Sequence, residues 1–111
     1  MSIDIVIPCY NEQDNIQYIV RKFNEIKKEE NLDIVNIILV NDGSTDNTWN
    51  KIKEIKDTKI KVVGIKLSRN FGQQYALLAG IDKVKSDYAL LIDADFQDPP
   101  EKIKEMLDIL T

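Results

Sequence analysis

The hydrophobic positions along the chain change period several times, and each change marks an element. Residues 3–8 (IDIVIP) form a β-branched run with the composition of a strand. Ile16, Ile19, Val20, Phe23 and Ile26 then recur at helical spacing between mostly polar residues, and Asn11 and Asp14 both stand where a cap for that helix is expected. Residues 33–41 (DIVNIILVN) predict a second strand, dense enough in Ile, Leu and Val to be buried on both faces. The turn residues DGSTDN follow, and Trp49, Ile52 and Ile55 mark a short helix. Residues 60–67 (IKVVGIKL) read as a third strand, and SRNFG leads into a helix carrying Tyr75, Leu78, Ala79 and Ile81. Residues 88–92 (YALLI) read as a fourth, buried strand. Pro99 or Pro100 at a first helical turn, followed by Glu101, opens a last helix through Ile103, Met106, Leu107 and Leu110.

This β-α-β-α-β-α-β-α order contains no linker, repeat or low-complexity segment. It predicts one α/β domain over residues 1–111, with a Rossmann-like, mostly parallel sheet flanked by helices and joined by right-handed crossovers.

Composition removes several function classes. The net charge of −4 lacks the basic footprint of a nucleic-acid binder. The lysines, among them Lys27, Lys28, Lys51, Lys53, Lys102 and Lys104, fall in helical patterns expected to face solvent. Cys9 is the sole cysteine, so no intrachain disulfide can form, and the chain has no histidine. His-based zinc sites and Ser-His or Cys-His pairs are thereby excluded. The longest apolar runs, such as IILV and YALLI, fall far short of the ~20 residues of a membrane helix. The strand pattern begins at once, without a signal-peptide pattern, and a cytoplasmic location is expected.

The polar clusters all follow strands. PCYNE follows the first, NDGSTD the second, SRNFG the third and DADFQD the fourth. In a parallel sheet these loops share the carboxyl edge, where ligands bind in α/β folds. Each cluster alone has a plainer reading. DGSTD serves as a turn with a helix cap in many proteins, and Asn11 and Glu12 suit capping as well. With 12 aspartates in the chain, about one D-x-D pair arises by chance. A cap, however, explains one carboxylate, not Asp93, Asp95 and Asp98 together with Gln97. Crowded carboxylates repel unless a cation lies among them, and their oxygens suit a hard ion such as Mg²⁺ or Mn²⁺. Neither G-x-G-x-x-G nor G-x-x-x-x-G-K-S/T occurs. A phosphate bound here would therefore be neutralised by a metal, the logic of a nucleotide-diphosphate sugar site.

In this order and spacing, VIPCYNE, VNDGSTDNT, LSRNFGQQYALLAGID and LIDADFQDPPE resemble the N-terminal half of a family 2 glycosyltransferase with the GT-A fold. The similarity is greatest to the bacterial polyprenyl-phosphate glycosyltransferases, including the dolichol-phosphate mannose synthase type. The resemblance implies that Pro8, Tyr10 and Glu12 line the nucleotide pocket, that Asp42 contacts the base, and that Arg69 meets the donor. It implies that Asp93, Asp95 and Gln97 bind Mg²⁺ or Mn²⁺ and, through it, the diphosphate, so that Asp93 serves nucleotide and metal alike. One departure is Asn41, where the family usually has a first of two acidic residues before GS.

The resemblance also implies that the family's domain continues beyond Thr111 with acceptor-binding elements. The chain is thus expected to be the donor half of an enzyme, inactive alone, with any catalytic base beyond Thr111. The intact enzyme is expected to transfer a hexose from a UDP- or GDP-sugar to a polyprenyl phosphate with inversion, at the cytoplasmic face of a membrane. An unpaired edge beside YALLI is expected to recruit a second copy into a homo-oligomer.

Two other classes share parts of the pattern. A receiver-like Mg²⁺-binding module wants paired carboxylates after the first strand, where only Glu12 lies close, and a lysine ending a fifth strand, which is not seen. A nucleotidyltransferase usually carries a glycine- and arginine-rich loop there, which CYNEQDN is not.

Overall fold

The structure, a computed structural model, describes residues 1–56 and 58–94. Strand β1 (Ile3–Cys9) is followed by α1 (Ile16–Glu30), β2 (Ile34–Asn41), α2 (Thr48–Lys53), β3 (Lys61–Lys66), α3 (Gln73–Ile81) and β4 (Tyr88–Leu91). The strands form one sheet in the order β3-β2-β1-β4, and every pairing is parallel. The helix expected through Ile103 and Leu110 lies outside the described residues.

The two central strands carry the most Ile, Leu and Val because both their faces are covered. Ile5, Ile7, Ile37 and Leu39 are fully buried on the face that receives Ile16, Ile19 and Phe23 of α1 and Ile52 of α2. Burying side chains of this size contributes about 2 kcal/mol each. Val6, Ile38 and Val40 fill the opposite face against Ala76 of α3.

Helix α3 does not bury the residues its pattern suggests. Tyr75, Leu78 and Ile81 are 64%, 63% and 42% exposed, while Ala76 and Gly80 meet the sheet. A Cβ on Gly80 would stand 2.4 Å from Cγ1 of Val6, so the helix lies closer than a larger residue permits. Small residues win the inward face because β-branched valines already fill the sheet surface. The helix is apolar on several sides, which periodicity could not resolve.

Strand β4 also departs from expectation. It spans four residues, and of these only Leu90 is buried; Leu91 is 45% exposed. The reason is position. β4 pairs with β1 on one side, and its other edge is unpaired among the described residues.

Neither expected cap serves α1. Asn15 occupies its N-cap without a side-chain cap bond, and Asn11 is engaged elsewhere. At the other end Asn31 closes the helix in the left-handed region (φ 52°), a conformation Asn tolerates. Lys27 is not merely solvated: its Nζ donates to the Ile34 carbonyl at 2.9 Å, tying the end of α1 to β2.

Asp4 is fully buried at the amino end of the sheet. Its carboxylate accepts the backbone N–H of Lys85 at 2.9 Å and of Ser86 at 3.2 Å, the Ser86 hydroxyl at 2.6 Å and the Asn36 amide at 2.9 Å. Burial pushes its pKa up, but these bonds together outweigh it and hold the group below the usual carboxylate range. The network anchors the turn from α3 into β4.

Candidate functional site

All four strands end on one edge, and the loops there are bound to one another. After β1 the chain turns at Asn11, in the left-handed region at φ 54°. The Asn11 N–H donates to the Ser44 hydroxyl at 3.0 Å, and its Oδ1 accepts the Thr45 N–H at 2.9 Å. The Glu12 N–H donates to Thr48 Oγ1 at 2.9 Å, and Gln13 Oε1 accepts the Asn47 N–H at 3.1 Å. Asp46 accepts the Thr48 N–H at 2.9 Å and the Thr48 hydroxyl, so the turn-and-cap reading of DGSTD holds for this residue.

The loops after β2 and β3 are joined more tightly. Gly43 sits at φ 66°, and a Cβ there would stand 2.2 Å from the backbone of Arg69 and Asn70. Only glycine meets both demands. Beside it Asp42, 4% exposed, accepts the Phe71 N–H at 2.8 Å and the Gly72 N–H at 3.2 Å, while the Asn70 amide donates to the Asp42 carbonyl. Asn41, where an acid was expected, accepts the Ser44 N–H through its side chain at 3.2 Å. An amide oxygen supports that turn as a carboxylate would.

A cavity of about 250 Å³ opens between these loops, lined by Pro8, Cys9, Tyr10, Glu12, Asp42, Gln73, Asp93 and Ala94. Five residues singled out from the sequence meet here: Pro8, Tyr10, Glu12, Asp42 and Asp93. Glu12 is oriented by the Asn15 amide at 2.7 Å, and Asp93 by the Gln73 amide at 2.9 Å. Arg69 is not part of the lining; its guanidinium lies over the Phe71 ring, 4.5 Å from the centroid. Asp95 and Gln97 lie outside the described residues. Among the described residues no three acidic or sulfur side chains cluster as a metal site.

Sequence reasoning missed Cys9, Gln73 and Ala94. Gln73 had a signal, since it opens the helix directly after SRNFG at the same edge. Cys9 is fully buried, and that burial, with the negative charge of Glu12, pushes its thiol up to about 12. A second cavity of about 590 Å³ lies between α1 and the segment after α2, lined by Arg21, Asn24, Glu25, Lys28, Glu54 and Lys59 among others. It is larger, but its mixed charges sit on a helical flank, away from the strand ends.

Residues 4–111 match the profile of glycosyl transferase family 2. The chain belongs to that family. An uncharacterized glycosyltransferase of Synechocystis is 40% identical over 108 residues, covering 97% of this chain and 34% of the relative. A bactoprenol glucosyl transferase of Shigella phage SfV is 38% identical over 111 residues, covering 97% of this chain and 35% of the relative. The chain thus spans about a third of the length of these relatives. In structure, it is similar to S. aureus TarS 1-349 in complex with UDP-GlcNAc, with a TM-score of 0.75 at 20% identity over 97% of this chain and 30% of that one. That likeness shows the α/β fold. Among the described residues no helix is long and apolar enough to cross a membrane.

Proposed function

We propose that this chain forms the donor half of an inverting glycosyltransferase that moves a hexose from a UDP- or GDP-sugar to a polyprenyl phosphate. The observation that carries the reading is the meeting of Pro8, Tyr10, Glu12, Asp42 and Asp93 around one cavity at the strand ends. The relative that acts on bactoprenol supports the acceptor class, and the neighbour bound to UDP-GlcNAc supports the donor class.

Pro8 and the half-exposed Tyr10 offer an apolar wall for a base, with Asp42 and Glu12 as acceptors for its N–H groups. Asp93 contributes only hard oxygen donors to a cavity that contains no histidine, which fits Mg²⁺ or Mn²⁺. Asp93, with Asp95 and Gln97, would hold that ion, which offsets charge on the leaving diphosphate. Gln73 keeps the Asp93 carboxylate turned toward the cavity through its 2.9 Å hydrogen bond. A phosphate acceptor is already anionic near neutral pH and needs little help from a general base. Arg69, whose guanidinium stacks over Phe71 outside the lining, is assigned contact with the donor by the family resemblance. The intact enzyme works at the cytoplasmic face of a membrane; in this chain by itself a second copy covers the open edge of β4.

The test is calorimetric titration with UDP and with GDP, each with and without Mn²⁺. Metal-dependent binding of one nucleotide, lost in Asp95→Asn, is the expected result. Silence with both nucleotides, here and in a chain extended to the length of the relatives, would sink the reading.

A further inference from the structure

The geometry points to Asn11 as a positioning residue of the donor cavity, one that sets affinity through Tyr10 and Glu12 without touching the ligand. The inference rests on the donor-site reading above. Asn11 is not part of the cavity lining, yet the residues on either side of it are. Its backbone is held at φ 54°, a left-handed conformation that residues other than glycine adopt mainly where their surroundings impose it.

What imposes it is the second loop. The Asn11 Oδ1 accepts both the Thr45 N–H at 2.9 Å and the Thr45 hydroxyl at 3.3 Å, and its own N–H donates to Ser44 Oγ at 3.0 Å. Ser44 is in turn fixed to Asn41, the residue before Asp42. A chain of hydrogen bonds therefore runs from the Tyr10 and Glu12 wall to the Asp42 wall. Asn11 is its central link. Its role is distinct from helix capping, because the helix begins at Ile16 with Asn15 as its cap.

Three variants separate backbone from side chain. Asn11→Gly keeps the left-handed turn and removes the acceptor. Asn11→Ala removes the acceptor and opposes the turn. Asn11→Asp keeps both an acceptor and tolerance of that conformation. Nucleotide affinity with Mn²⁺ is measured by calorimetry, the urea midpoint by circular dichroism, and exchange of the Ser44 and Thr45 amides by NMR.

Asn11→Gly is expected to bind about tenfold more weakly, the equivalent of one or two lost hydrogen bonds, with faster exchange at Thr45 and nearly the parent urea midpoint. Asn11→Ala is expected to bind more weakly still, and Asn11→Asp to recover most of the affinity. Unchanged affinity in Asn11→Gly overturns the inference and leaves the donor site standing. Loss of affinity only in proportion to lost folding stability overturns it too, by reducing Asn11 to a structural residue. A parent that binds neither nucleotide, both as this chain and extended to the length of the relatives, takes down the donor-site reading and this inference together.

Discussion

The Asp42 carboxylate accepts the backbone N–H of Phe71 at 2.8 Å, across 29 positions of sequence. The same side chain lines the donor cavity. Its oxygens are therefore partly committed to holding the SRNFG loop, with Gly72 as a second donor. Asp42→Ala is expected to lose both bonds and about 2 kcal/mol of stability, and Asp42→Asn about half of that, because its amide keeps one acceptor oxygen. Urea unfolding of the two variants measures the difference. Equal losses would mean that the oxygen the amide keeps contributes nothing.

Gly43 permits the loop contact that Asp42 completes. Gly43→Ala introduces a methyl group 2.2 Å from the backbone of Arg69 and Asn70 at a φ of 66°. Both the clash and the left-handed backbone oppose it, so a loss of at least about 2 kcal/mol is expected. Thermal unfolding followed by circular dichroism checks it.

Asp4 makes folding sensitive to acid. Its folded pKa is lowered, so it contributes stability that is fully present above the unfolded value of 3.8 and is lost as pH falls through the folded one. The parent should lose stability steadily as pH falls below 3.8, and Asp4→Asn should lose less over that range. Urea midpoints at a series of pH values give both slopes. At pH 7 the same variant should already be about 2 kcal/mol less stable, because buried donors lose a charged acceptor.

Cys9 lines the cavity but is not a reactive thiol. Fully buried, and with its pKa pushed up to about 12, it stays protonated at pH 8. Thiol reagents are expected to leave the native chain unmodified and to label it stoichiometrically in urea. Rapid labelling of the native protein would show that the strand end opens.

Strand β4 carries Tyr88 and Leu91, 36% and 45% exposed, and α3 exposes Tyr75 and Leu78 as well. Open apolar edges recruit partners. Light scattering on this chain is expected to show a dimer or larger assembly that Leu91→Lys weakens. A monomer at high concentration counts against that surface.

The hydrophobic pattern by itself determined the order of elements, the strand over residues 33–41 buried on both faces, and the shared edge of the polar loops. Periodicity reports which side of a helix or strand is apolar, and parallel strands must all end on one side. That was enough to bring Pro8, Tyr10, Glu12, Asp42 and Asp93 to one place. Only the tertiary structure decided how little of β4 is buried, with Leu91 left exposed, and that α3 turns Ala76 and Gly80 inward instead of Tyr75 and Leu78. It also separated aspartates that look alike in sequence: Asp4 locks a turn, Asp46 caps one, and Asp42 and Asp93 face the cavity. The reason is the range of the interactions. Apolar periodicity is local, whereas the partners of Asp4 and Asp42 stand from 28 to 82 positions away, and packing alone brings them together.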